Sequence, residues 1–186
     1  MPAKNIELND VWEAIDIQIT LNADGGTLPD SVISITRKFD ANYGELPVPT
    51  KEGHTFDAWY YGDIKIAVNS KVTNDKAYEI KAKYTANTYT VSFSSEGTLA
   101  TSEKKVTFGQ TYGSLPNTSK FGYLFVGWYV EGINTRITED TPVTIAGDHT
   151  LVARFSANEI KLIANANGGT FKATEGWELN EDATVA

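Results

Sequence analysis

Near the start of the chain, Ile15-Asp16-Ile17-Gln18-Ile19-Thr20-Leu21 alternates apolar and polar residues at every step. A period of two places the apolar members on one face of an extended segment, so this stretch predicts a half-buried β-strand. The pattern returns at Tyr89-Thr90-Val91-Ser92-Phe93 and again at Ile160-Lys161-Leu162-Ile163-Ala164. A glycine-bearing turn follows each time: Asn22-Ala23-Asp24-Gly25-Gly26, then Ser95-Glu96-Gly97, then Asn167-Gly168-Gly169. Such turns reverse the chain tightly because glycine reaches positive φ without steric cost. Lys105–Phe108, Phe125–Tyr129 and His149–Phe155 predict further strands. Leu46-Pro47-Val48-Pro49 predicts an extended edge or loop, since proline has no amide hydrogen for a ladder. Short helical turns are expected only near Phe39 to Tyr43 and at its copy, and after a cap at Asn9-Asp10, over Val11-Trp12-Glu13-Ala14.

Compared with itself, the chain repeats. Tyr43-Gly44-Glu45-Leu46-Pro47 meets Tyr112-Gly113-Ser114-Leu115-Pro116 at an offset of 69 residues (112 − 43). At the same offset Gly53-His54-Thr55-Phe56-Asp57-Ala58-Trp59-Tyr60 meets Gly122-Tyr123-Leu124-Phe125-Val126-Gly127-Trp128-Tyr129. Ala82-Lys83-Tyr84-Thr85-Ala86-Asn87 meets Ala153-Arg154-Phe155-Ser156-Ala157-Asn158, and Gly26-Thr27-Leu28 pairs with Gly97-Thr98-Leu99 and with Gly169-Thr170-Phe171. The organisation that follows is a lead over residues 1–14, a first module over 15–87, a second over 88–158, and the opening of a third over 159–186. No Gly/Ser or Pro-rich spacer separates the copies, so neighbours should be closely coupled and two in line should form a short rod. Residues 159–186 alone cannot bury a core. They should be disordered, pack on the second module, or complete another chain's sheet by strand addition.

Composition narrows the function. The chain has 186 residues, 11% aromatic and 22% charged, with a net charge of −8. Lysines and arginines are scattered among acids, without the basic stripe that replaces counterions on phosphates, so nucleic acid and anionic membranes are not expected partners. No run of 18 apolar residues is present for membrane insertion. There is no cysteine, which removes disulfides, thiolate metal sites and a cysteine nucleophile. The start at Met1 lacks the apolar core of a signal peptide. That fits a piece of a secreted chain, or a protein that reaches the outside without a signal, as a virion component does.

Candidate chemistry is sparse. His54 and His149 are the two histidines and occupy non-equivalent places in the repeat, and no nucleophile elbow, zinc helix or phosphate loop accompanies them. Glycoside hydrolysis needs two facing carboxylates, and no acidic pair recurs in both copies. Asp24-Gly25-Gly26 lacks the spaced acids of a calcium loop and reads as a hairpin turn. No catalytic residue, metal ligand or cofactor is assigned. Binding candidates are aromatic. Trp59 and Trp128 recur and are expected to fill the two cores. Alternation puts Trp59 and Tyr61 on one face, with Phe56, Ala58 and Tyr60 near the other. Tyr61 becomes Val130 in the second copy, so Tyr61 is the candidate surface aromatic. Trp12, outside the repeat, is the second candidate partner contact.

The order of first strand, Gly-Gly-Thr, Tyr-Gly-x-Leu-Pro, Gly-Tyr-x-Phe-x-Gly-Trp-Tyr and closing Leu-x-Ala-x-Phe resembles the Listeria–Bacteroides repeat family. That family includes the B-repeat of internalin-type surface proteins. Residues 15 to 171 carry the resemblance. Tyr89–Asn158 matches most fully, and the first copy departs where Ala58 replaces the usual glycine. The resemblance implies a mainly-β protein with a minor helical share, built of small tandem β-grasp-like modules without enzymatic activity. The expected role is a stalk, adhesion or display segment on a bacterial cell surface, with a protein or surface glycan as partner. The alternatives are a phage virion component, self-associating through its ends, and a carbohydrate-binding module, which requires solvent-exposed tryptophans.

Overall fold

A computed structural model describes residues 12–159 together with Asn167 and Gly168. The strand expected at Ile160–Ala164 and the capping pair Asn9-Asp10 lie outside the described residues. The chain forms β1 (Asp16–Asn22), a single 3-10 turn (Pro29–Ser31), β2 (Ser34–Lys38), β3 (His54–Tyr61), β4 (Ile64–Ile66) and β5 (Tyr78–Ala86). It then forms β6 (Thr88–Ser94), β7 (Thr98–Leu99), β8 (Glu103–Thr107), β9 (Thr118–Ser119), β10 (Tyr123–Val130), β11 (Arg136–Ile137) and β12 (His149–Ala157).

The first seventy or so described residues make one five-stranded sheet ordered β2-β1-β5-β3-β4, and the next make a second ordered β11-β10-β12-β6-β8. At the centre of each sheet the first and last long strands run parallel, with Ile19 opposite Tyr78 and Val91 opposite His149. All other neighbours are antiparallel. This is the mainly-β, β-grasp-like tandem arrangement expected, with the 3-10 turn as the only helical piece among the described residues. The short β7–β9 pair, Thr98 opposite Ser119, corresponds to the single bridge Thr27–Thr50 in the first unit.

No helical turn forms between Phe39 and Tyr43, nor over Trp12–Ala14. The amides of the first segment are committed elsewhere: Asp40, Tyr43 and Gly44 donate to the carbonyls of Val72, Ser70 and Val68. Gly109, Tyr112 and Gly113 donate likewise to Val143, Thr141 and Glu139. Two loops thus zip across each other, and a backbone amide spent on such a crossing is not available to an i−4 carbonyl. The crossing loops roof one face of each sheet. They bring Tyr43 and Val72 over Ile17, Ile19, Trp59 and Ile80 in the first unit, and Tyr112 and Val143 over Val91, Trp128 and Leu151 in the second.

The alternation expected along β3 is broken by a bulge. Pairing with β5 slips between Phe56 and Ala58, and pairing of β10 with β12 slips at the matching Phe125 and Gly127. An extra residue shifts everything before it to the other face. Phe56 therefore lies on the side of Trp59, ring centroids 5.9 Å apart, instead of opposite it. Phe125 and Trp128 repeat the contact at 5.8 Å.

Candidate functional site

The recurrent tryptophans are structural. Trp59 is 3% exposed and Trp128 is 2% exposed. Trp59 Nε1 donates to the carbonyl of Pro47 (2.8 Å) and Trp128 Nε1 to that of Pro116 (3.0 Å). This explains the repeated Leu-Pro. The segment is an extended strip whose carbonyl satisfies a buried indole, as a buried donor requires.

The two proposed surface aromatics are not brought together, and no ring contact links them among the described residues. Trp12 is 88% exposed, four positions ahead of Asp16, which starts the first strand pairing. Tyr61 is 41% exposed, but its ring packs edge-on against Tyr78 at 5.0 Å. Beneath it, the hydroxyls of Tyr43 and Tyr78 bond each other. Burial pushes both phenols above their ordinary value, Tyr78 farther because the neighbouring hydroxyl adds to the effect. In the second unit the same place holds Tyr112 and His149, with the hydroxyl 2.7 Å from Nε2. His149 is thus the counterpart of a half-buried tyrosine, Tyr78.

His54 sits where the two units meet; close coupling is expected there from the missing spacer, but the contacts that make it are not legible in the sequence. One residue, Asn87, joins β5 to β6. Its amide donates to the carbonyl of Gly53 (2.8 Å), and its own carbonyl accepts from the amide of Phe108 (2.9 Å). Its side chain accepts from Thr55 Oγ1 (2.6 Å) and donates to the Tyr89 hydroxyl (3.3 Å). Phe108, at the end of β8, lies flat over Gly53, where any Cβ would overlap its ring, and meets the edge of His54 at 5.5 Å. The signal for this joint was available in principle. Gly53 and its φ of +68° belong to a tight turn, but only the fold shows that a neighbouring ring also requires a bare Cα there.

The charged groups offer little to chemistry. Lys81 bonds Asp24 (2.8 Å), Lys65 bonds Asp57 (2.7 Å), and Lys120 bonds Glu96. Each lysine draws its carboxyl below the ordinary carboxylate range. Asp24, the one acid of the Asp-Gly-Gly turn, is committed to a lysine, and among the described residues no cluster of three metal-ligating side chains occurs. Two depressions of about 250 Å³ are present, one along Leu115, Pro116, Trp128 and Arg136, the other along Phe93, Lys104 and Leu115. Both are smaller than the roughly 300–1,000 Å³ of ordinary ligand pockets.

Comparison with known proteins agrees with this tandem architecture. The family model of the Listeria-Bacteroides repeat domain matches residues 18–85 and again 89–154. A "putative Gly-rich membrane protein" of Evansella cellulosilytica is 28% identical over 174 residues, 91% of this chain and 20% of the relative. A "putative membrane protein" of the same organism is 29% identical over 86% of this chain and 24% of its own length. Internalin H of Listeria monocytogenes is 34% identical over 119 residues, 62% of this chain and 21% of its own length. The chain therefore spans between a fifth and a quarter of the length of these relatives. Among its described residues no helix is long and apolar enough to cross a membrane. The two matches fall on the two sheets, one repeat to each, and the chain belongs to the Listeria-Bacteroides repeat domain family.

Proposed function

We propose that this chain is a non-catalytic segment of a bacterial cell-surface protein, serving to space, display or adhere. The observation that carries this reading is the joint at Asn87. Two complete small cores are fused through one residue and locked by backbone and aromatic contacts, which suits a part whose job is to hold a fixed length and direction. The charged groups support it. Asp24, Asp57 and Glu96 are held by lysines and drawn below the ordinary carboxylate range, which makes these three unsuited to act as general acids. The relatives, described as an internalin and as membrane proteins, support a surface location. A protein or surface glycan is the partner this role implies, and Trp12 and Tyr61 are among the exposed aromatics available to meet it, alongside Phe121. The carbohydrate-binding reading required solvent-exposed tryptophans; Trp59 and Trp128 are buried, which leaves Trp12 as the exposed one among the described residues. No described feature favours the virion reading.

Light scattering combined with small-angle X-ray scattering on the full chain tests the proposal. An elongated monomer is expected. A compact or obligately oligomeric particle overturns the spacer reading.

A further inference from the structure

The two repeats differ in charge at one matching place, the outer face of each sheet around the bulge. In the first unit two lysines there are neutralised from within the chain. Lys65, opposite Tyr60 on β4, bonds Asp57 at the bulge (2.7 Å), and Lys83, opposite Ala58 on β5, reaches Asp63 in the turn (3.5 Å). The Tyr60 hydroxyl donates to the other oxygen of Asp57 (2.7 Å), and Lys83 lies over the Tyr60 ring.

The second unit has an arginine in place of each lysine: Arg136 opposite Tyr129 on β11, and Arg154 opposite Gly127 on β12. Both acids are gone. Val126 stands at the bulge in place of Asp57, and the turn offers Arg154 only the neutral amide oxygen of Asn134. Among the described residues no ion pair includes either arginine, although Glu131 and Glu139 lie close to β11 in the chain. Nor does the Arg136 side chain or the Tyr129 hydroxyl make a hydrogen bond among those residues. Arg136 lies down on the sheet, with Nε 2.7 Å from where a Cβ on Gly127 would stand, and the first unit has that Cβ in Ala58. Two guanidinium groups thus border one glycine without a counter-charge, in a chain whose net charge is −8. Such a pair repels until an anion neutralises it, and the planar fork of a guanidinium matches a carboxylate.

We propose that the face of the second sheet around Gly127 binds a carboxylate side chain of an acidic protein segment, seated as Asp57 seats its own carboxylate in the first unit, with Arg136, Arg154 and the Tyr129 hydroxyl as its donors. Asp57 supplies the template, one oxygen taken by the cation of the short edge strand and the other by the tyrosine hydroxyl. The surroundings suit a polypeptide better than a sugar. Val126 and Leu124 are exposed and offer apolar contact beside the arginines, whereas Arg154, 4.0 Å from the Tyr129 ring centre, already occupies the ring face on which a sugar would stack. The proposal rests on the surface reading for the existence of a partner and on the charge comparison for its chemistry. Solution shape tests the first and peptide binding the second, so either can fail alone.

The experiment is a chemical-shift titration of the isotope-labelled full chain with a blocked pentapeptide carrying one aspartate between valines, and with its asparagine counterpart. The aspartate peptide should shift the Gly127 and Tyr129 amides saturably, and the asparagine peptide should bind about tenfold more weakly, the loss of one charge-assisted contact. Val126→Asp should weaken the aspartate peptide by about the same tenfold, because the new carboxylate fills the site from within as Asp57 does. Val126→Asn, similar in size and uncharged, should leave its affinity unchanged. Absence of a saturable shift, equal affinity for the two peptides, or binding untouched by Val126→Asp would each overturn the proposal. Tighter binding of sodium glucuronate or of inorganic phosphate than of the aspartate peptide would overturn it too, by assigning the arginines to an acidic glycan or to a phosphate.

Discussion

The two units share a chain path but not the means of holding it, and the clearest case is the edge strand. In the first unit Arg37 Nε donates to the Tyr43 carbonyl (2.7 Å), tying β2 to the loop that roofs the core. In the second, Lys104 Nζ donates to the carbonyls of Tyr112 (2.6 Å) and Ser114 (2.8 Å). The cations do not occupy matching positions. Arg37 lies opposite Ile17 and Ile35 opposite Ile19, while Val106 lies opposite Tyr89 and Lys104 opposite Val91. Apolar and cationic residues have exchanged places along the strand. What both units need is a donor for the carbonyls of Tyr-Gly-x, and either inward position supplies one. The lesson is that the loop's unsatisfied oxygens are the constraint, and the residue that answers them is free to move.

The solvent faces differ as well. Across the first sheet Lys81, Lys83 and Lys65 pair with Asp24, Asp63 and Asp57. The second sheet presents Thr150, Val152, Arg154 and Ser156 in the places of Glu79, Lys81, Lys83 and Thr85, with Arg154 4.0 Å from the Tyr129 ring centre. Lys83 over Tyr60 at 4.2 Å is the counterpart. A cation over an aromatic ring survives in both, and the ion-pair lattice does not.

The strongest way to break the comparison is to empty one core at a time. Trp59→Ala or Trp128→Ala should each cost about 3–5 kcal/mol. A module of this size holds only about 0.05–0.15 kcal/mol per residue in total. Calorimetry should show the altered unit melting early while the other keeps its transition. A single shared transition would mean that the units are one cooperative body. Next in size is Gly53→Val, which meets both the positive φ and the Phe108 ring and should cost about 1–3 kcal/mol. Its effect is expected on both transitions, with their separation growing as the joint opens.

Alkaline titration sharpens the contrast further. The first unit holds Tyr43, Tyr60, Tyr78 and Tyr84 with raised phenols, the second Tyr112. A folded-state value above the unfolded one means that stability is full below about pH 10 and is lost as pH rises beyond it. Urea midpoints measured on either side of that pH should fall more for the first unit, and Tyr78→His should narrow the gap. The smallest effect belongs to the exposed ion pairs. Lys81→Met should shift the first unit's midpoint only slightly, and only at low salt. Because Asp24 and Asp57 are lowered, that contribution is present above their unfolded values and lost as pH falls below about 4.

Much of this molecule was legible beforehand for definite reasons. Period-two alternation is a local property, so β1, β6 and β12 could be read directly from Ile15–Leu21, Tyr89–Phe93 and His149–Phe155. Spaced glycine, proline and tryptophan fixed the repeat and put Trp59 and Trp128 inside. The face of Phe56 was misread because a bulge is settled by pairing with β5 and not by the strand's own residues. The helical turns expected near Phe39 gave way to loop crossing, a long-range pairing with no local signature. Of the contact candidates, Trp12 is exposed as a non-repeat aromatic can be, while Tyr61 is half engaged by Tyr78, a neighbour distant in sequence.

The sequence by itself determined that the chain repeats, that Trp59 and Trp128 are the large apolar groups common to both copies, and that cysteine chemistry plays no part in it. Tertiary structure decided how the repeats relate. Whether Gly53 turns in open water or beneath a ring depends on Phe108, fifty-five residues later (108 − 53), and side-chain periodicity carries no information about a contact at that range.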